Sequence, residues 1–410
     1  MQKTAHCGSP TILIPVLDKT SELQSCLTDV AGLPLIRRVA MMVTKAGLGN
    51  PLVVSSTGDA QLGEALAGTG SQLIACTMMD VVQACNAPIL LLEPNCLPNR
   101  DFFMNLGQKQ IEPGELFLWP GEQAMLLGLE RSAVLLHQLP QANCFAQLVE
   151  ALTKMDEQAL SQKSPHEQAG ISIRHADDCL RAENMLLSGL VKVTEGWMAL
   201  HINRKISLAV TQRLMHTSVT PNHMTWVSMM LGLMGAAFFL SPEYGMQIGG
   251  AVLFLLHSIL DGCDGELARL KFMESRLGGI LDFWSDNIVH VAVFAAMGMG
   301  WAARSPDLLW PGICAVLAVV GTAMSASLVY SHTMYQAKKA GPLYTSVSTS
   351  ENKSAVVRIA DMLSRRDFIY LVLALALLDQ THWFLVMTAI GAPIYALLLI
   401  GIMVREKPPA

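Results

Sequence analysis

The stretch LLHSILDGCDGELARLKFMESRLGGILDFWSDNIVH, residues 255–290, decides how this chain reads. It looks membrane-spanning, yet it carries Asp261, Asp264, Asp282 and Asp286. A carboxylate at membrane depth costs about 3 kcal/mol or more, so such residues default to a functional reading with a partner to be named. Four acids beside one arginine, Arg269, suggest that the partner is a divalent metal. Hard cations such as Mg2+ favour carboxylate oxygens and share them with phosphate.

The spacing sharpens the reading. Asp261 and Asp264 are i, i+3, and Asp282 and Asp286 are i, i+4, so each pair points from one face of a helix. Gly265 and Gly278 remove side chains beside the two pairs, which lets a bulky ligand or the opposing helix come close. Arg269, a turn and a half past Asp264, is placed to hold an anionic group as a bidentate fork. Two facing acid pairs with an arginine meet the needs of a two-metal phosphoryl-transfer site. A polar helix pair lining an ion path is the competing reading.

These residues carry a resemblance. The CDP-alcohol phosphotransferase family has the pattern D-x2-D-G-x2-A-R-x8-G-x3-D-x3-D, and Asp261, Asp264, Gly265, Ala268, Arg269, Gly278, Asp282 and Asp286 match every fixed position. The resemblance implies a membrane enzyme that moves a substituted phosphate from a CDP-alcohol to an acceptor hydroxyl and releases CMP. It implies two divalent cations, Mg2+ or Mn2+, held by Asp261, Asp264, Asp282 and Asp286, with Asp286 as general base. It also implies a homodimer, and a nucleotide held near Gly265, Ala268, Arg269 and Gly278. A second family element, T-P-N followed by T and S, matches Thr220, Pro221, Asn222, Thr225 and Ser228 and lies near the nucleotide in that family. Helix initiation explains the same residues, with Thr220 as N-cap and Pro221 in the first turn.

With 52% hydrophobic and 15% charged residues, the 410-residue chain has room for two domains and reads as a membrane protein. Its net charge of -5 and lack of a basic block argue against nucleic acid as partner. Nine cysteines without zinc-ligand spacing read as free thiols in a reducing compartment. The first ten residues lack the apolar run of a signal peptide.

Hydrophobicity divides the chain. Residues 1–190 show short apolar runs (11–17, 51–56, 72–77, 88–94) that read as buried strands, with helices at 33–49 and 79–87. The alternation implies an α/β domain with a doubly wound parallel sheet. Residues 30–56 resemble the sugar-nucleotidyltransferase fold. Active members follow their first strand with a glycine-rich phosphate loop, but VLDKTSELQSCLTDVAG has no glycine before Gly32 and only Lys19 as a basic remnant. After the fourth strand, Glu93-Pro94-Asn95 stands where an active enzyme places a metal-binding aspartate. The domain therefore reads as degenerate. Residues 191–220 form a junction with an amphipathic interfacial helix at 197–215 carrying Arg204, Lys205 and Arg213. The junction resembles that of inositol-phosphate cytidylyltransferase/di-inositol-phosphate-phosphate synthase fusions.

Residues 221–410 contain six apolar runs, near 223–241, 246–262, 277–303, 307–331, 368–379 and 383–404, so an all-α six-helix transmembrane domain is expected. Basic residues gather in the 263–276 and 332–367 connections and in the tail, whereas the opposite loops hold only Arg304. The positive-inside rule then puts both termini and the acids at the cytoplasmic face of the cell membrane. Arg358, Arg365 and Arg366 suit the phosphate of an acceptor such as a polyol phosphate, or serve as positive-inside anchors. His290, one turn past Asp286, reads as packing or as a neighbour of the site. Two rivals remain: a bifunctional enzyme that also makes its own CDP-alcohol, and an ion or solute transporter using the acids as a pathway.

Overall fold

The computed structural model describes residues 10–56, 59–75, 87–106, 113, 115–131, 134–135, 138–154, 169–190, 202–331 and 368–405. The expected helix at 79–87 falls almost wholly outside these residues, as do 197–201 of the junction and the 332–367 connection with Arg358, Arg365 and Arg366. The chain forms two compact units, Met1–Gly189 and Leu190–Ala410.

In the first unit the described elements run β1 (Thr11–Val16), α1 (Ser21–Leu27), β2 (Asp29–Val30), β3 (Leu33–Pro34), α2 (Leu35–Lys45), β4 (Leu52–Ser55), α3 (Ala60–Leu66), β5 (Gln72–Ala75), β6 (Ile89–Leu92), β7 (Cys96–Pro98), α4 (Arg100–Leu106), β8 (Leu116–Leu118), β9 (Ala124–Leu127), α5 (Phe145–Lys154), β10 (Gly170–Ser172) and α6 (Ala176–Ser188). The main sheet has the order β5-β4-β1-β6-β9-β8. Leu13 of β1 lies between Leu52 of β4 and Leu91 of β6 in parallel register. These strands are nearly continuous apolar runs because both faces are covered. Ile12, Ile14, Leu90 and Leu92 pack with Leu35, Ile36 and Val39 of α2 on one face. Leu13, Ile89 and Leu91 pack with Phe145, Leu148 and Leu152 of α5 on the other.

The sheet is mixed, not wholly parallel. β9 runs antiparallel to both β6 and β8. Only five residues, 119–123, join β8 to β9, and so short a link permits a hairpin but no crossover. The segment after β1 also differs from a bare loop, since residues 21–27 form α1.

The second unit comprises α7 (Arg204–Leu214), α8 (Pro221–Phe239), α9 (Tyr244–Leu270), α10 (Arg276–Arg304), α11 (Leu309–Val329), α12 (Phe368–Leu377) and α13 (Thr381–Arg405). Four of these, α9, α10, α11 and α13, are long and apolar enough to cross a membrane by length and composition. The described part of the fifth apolar run, α12, has only ten residues. α9 has 27 residues, about 40 Å, which exceeds a hydrocarbon core of about 30 Å and lets its acidic end reach the interface. Phe239, Phe254, Val289, Val293 and Phe294 form the core with Ile369 and Val372 of α12 and Phe384 of α13. α8 and α9 cross where glycines meet: a Cβ on Gly250 would lie 3.0 Å from the Gly235 carbonyl oxygen. Such small residues allow backbones to approach without lipid between them. This crossing brings the amino end of α8 beside the acidic end of α9.

Candidate active site

Three helices converge on the acids. α9 supplies Asp261 and Asp264 near its carboxyl end, α10 supplies Asp282 and Asp286 near its amino end, and α8 begins beside both. Asp261, Asp264 and Asp282 each offer a carboxylate oxygen within 4.8 Å of the others. Asp261 and Asp264 are only 2% and 6% exposed. Three carboxylates so close, two of them buried and Asp282 half-buried, need compensating positive charge, and their all-oxygen donor set suits a hard divalent cation.

The residues around the trio are held in place. Thr225 donates from its hydroxyl to Asp264 Oδ2 at 2.6 Å, fixing that carboxylate from α8. A Cβ on Gly265 would lie 3.2 Å from Arg269 Nη1, so the guanidinium folds back over a position where a side chain would crowd it. A Cβ on Gly278 would lie 2.9 Å from Ser275 Oγ and 3.4 Å from Asn222 Oδ1, so the T-P-N element abuts the second glycine of the motif. Ala268 is half-buried on α9. Thr220 is the N-cap of α8 and accepts from the His223 amide at 3.4 Å, with Pro221 in the first turn. Helix initiation thus accounts for Thr220 and Pro221, while Thr225 and Asn222 reach the motif itself.

Asp286 stands apart from the trio. Its Oδ1 lies 3.3 Å from His257 Nε2 and 3.6 Å from His290 Nδ1. His290 donates from Nδ1 to the Asp286 carbonyl at 2.7 Å and packs edge-on against Phe254, so it is both packing and a neighbour of the site.

Two functional-looking residues escaped the sequence. His257, one turn before Asp261, is fully buried and bridges Asp286 to the Ser228 carbonyl. Glu266 occupies a variable position of the motif and is also fully buried. It accepts from Arg204, from Ser207 Oγ at 2.7 Å and from Thr211 Oγ1 at 2.6 Å, all on α7. The rule that an intramembrane charge has a partner applied to Glu266 as much as to the four aspartates. α7 therefore turns Ser207 and Thr211 to the protein and leaves Ile206, Lys205 and Arg213 exposed, a face suited to a membrane surface.

In the first unit the segment after β1 and Glu93, where an active nucleotidyltransferase would hold nucleotide and metal, are engaged by the chain itself. Glu22 Oε2 accepts the Leu17 and Asp18 amides at the end of β1 (2.8 and 3.0 Å), and its Oε1 accepts the Phe145 amide at 2.6 Å. Asp18 is held down at about 2 by hydrogen bonds from Ser21 and Thr20. Glu93 accepts from Ser172 Oγ at 2.5 Å and from Arg174 Nη2 at 3.1 Å.

Residues 218–377, within the second unit, match the CDP-alcohol phosphatidyltransferase family. The chain is similar to the "Bifunctional IPC transferase and DIPP synthase" of Thermococcus kodakarensis, 37% identical over 149 residues, which cover 36% of this chain and 32% of that one. The protein of the same description from Archaeoglobus fulgidus is 33% identical over 167 residues, 40% of this chain and 30% of its own. The phosphatidylinositol phosphate synthase of Corynebacterium glutamicum is 36% identical over 98 residues, 24% of this chain and 43% of its own. The matched stretch thus spans about a third of the first two relatives. Among solved structures, Mycobacterium tuberculosis phosphatidylinositol phosphate synthase with CDP-DAG bound aligns at 19% identity and TM-score 0.33, over 50% of this chain and 99% of that one.

Proposed function

We propose that this chain is an integral membrane CDP-alcohol phosphotransferase that moves a substituted phosphate to an acceptor hydroxyl and releases CMP, in phospholipid or polyol-phosphodiester synthesis. The observation that carries the reading is the convergence of Asp261, Asp264 and Asp282 within 4.8 Å, inside a domain with every fixed residue of the family motif.

Asp261, Asp264, Asp282 and Asp286 are the residues that would hold two divalent cations, Mg2+ or Mn2+. When bound, such cations would neutralise the charge of the donor's diphosphate and of departing CMP. The nucleotide would lie near Gly265, Ala268, Arg269 and Gly278, with Arg269 forking its phosphate and Asn222 and Thr225 flanking it. Asp286 draws the proton from the acceptor hydroxyl. The acceptor oxygen attacks the phosphorus distal to the cytidine in line with departing CMP. One P–O bond forms, one breaks, and the product is a phosphodiester. Arg358, Arg365 and Arg366 are the residues we assign to an acceptor phosphate. Both termini and the site face the cytoplasm in this reading, and the enzyme is a homodimer.

The first unit is best read as a degenerate nucleotidyltransferase-like domain. Glu22 on the strand-end amides and Glu93 on Arg174 support this, because a triphosphate and its metal would compete with bonds already made. No observation favours a transporter, which leaves the fixed glycine, alanine and arginine positions unexplained.

The test is CMP release by detergent-purified protein with Mn2+ or Mg2+ across CDP-alcohols and acceptors. Asp286→Asn should abolish turnover while CMP binding persists. Near-normal turnover by that variant would remove Asp286 as the base.

A further inference from the structure

We infer that His257 is a positioning residue for Asp286, a role that rests on the transferase reading above. The imidazole is fully buried, so it acts on the reaction only through another group. It sits on α9, yet its two nitrogens reach the neighbouring helices. Nδ1 lies 2.9 Å from the Ser228 carbonyl oxygen on α8, and Nε2 lies 3.3 Å from Asp286 Oδ1 on α10.

A carbonyl oxygen only accepts, so Nδ1 carries a hydrogen and donates it. That bond fixes which way the ring faces and directs Nε2 at the carboxylate. The ring has little room to turn away. It lies nearly parallel to Phe254, with centroids 6.1 Å apart, and a Cβ on Gly232 would come within 3.0 Å of its Cγ. A general base is ionised and its oxygens only accept, so Nε2 donates the hydrogen of this contact, which fixes the carboxylate about its Cβ–Cγ bond. An aspartate without such a partner samples several orientations, and a general base works only in the one aimed at its proton. His290 does not duplicate the contact, being 3.6 Å from Oδ1 and committed to the Asp286 carbonyl at 2.7 Å.

The test compares His257→Asn with His257→Gln in the detergent-purified full chain. Asn places its amide nitrogen near the position of Nδ1 and keeps the bond to Ser228, but falls short of Asp286. Gln places its amide nitrogen near the position of Nε2 and restores the contact. Turnover is followed as CMP release from a donor and acceptor pair that the wild type uses. Mn2+ binding by electron paramagnetic resonance, CMP binding by calorimetry and thermal unfolding are measured on the same samples. His257→Asn should lose about tenfold or more in kcat, with KM, CMP binding and Mn2+ binding within about threefold. His257→Gln should recover to within about threefold of wild type. Normal kcat in His257→Asn, equal losses in both variants, or a parallel loss of Mn2+ binding would each overturn the role. An active wild type with inactive Asp286→Asn and active His257→Asn sinks this inference alone, whereas a wild type without turnover sinks the transferase reading as well.

Discussion

Glu266 should be the strongest single fastening between α7 and the motif helix. Its carboxylate is fully buried and receives Arg204, Ser207 and Thr211, while the Arg204 side chain is 17% exposed. Removing one partner of a buried pair costs about 3–5 kcal/mol, because the other charge is left without compensation. Arg204 retains some access to water, so the lower end, about 3 kcal/mol, applies to Glu266→Ala. For a unit of this size that is a fall of roughly 6–12 °C in Tm. Thermal unfolding in detergent of Glu266→Ala, Arg204→Met and the double variant measures it. The double variant should be more stable than the sum of the single losses predicts, since it leaves no buried charge. Turnover well below Tm should stay within about threefold, because Glu266 faces α7 and not the aspartate trio. A Tm change below about 2 °C in Glu266→Ala, or strict additivity, would refute the fastening.

Thr225→Val should lower Mn2+ affinity by about tenfold, since the hydroxyl on Asp264 orients a proposed ligand; titration followed by electron paramagnetic resonance checks it, and unchanged affinity would free Asp264 of that dependence. The purified full chain should release no pyrophosphate from CTP with any polyol phosphate, and Glu93→Ala should leave CMP release unchanged; pyrophosphate release would restore the bifunctional reading.

The candidate site was legible to the extent that it is local. Asp261 with Asp264, and Asp282 with Asp286, declare a shared face by helical spacing alone. The strands at 11–17, 51–56, 72–77 and 88–94 became β1, β4, β5 and β6, because apolar runs bounded by turn residues have few other solutions. β8 and β9 were not read, although Pro120-Gly121 between LFL and AMLL is a hairpin signal. α1 was not legible as a helix, because the lack of glycine there reads as a lost phosphate loop and is equally the mark of a helix.

The sequence alone determined the chemistry: the residue types, their faces on each helix and the apolar lengths around them follow from period and composition. Tertiary structure decided the partners. Thr225 meets Asp264 across 39 positions, Ser207 meets Glu266 across 59, and Ser172 meets Glu93 across 79. It also set Asp286 outside the trio and gave it His257, which no spacing rule connects. Periodicity fixes the direction a side chain points from its own helix. Which helix stands opposite is set by how glycine contacts such as Gly235 on Gly250 let the helices cross, and that depends on packing contacts far apart in the chain.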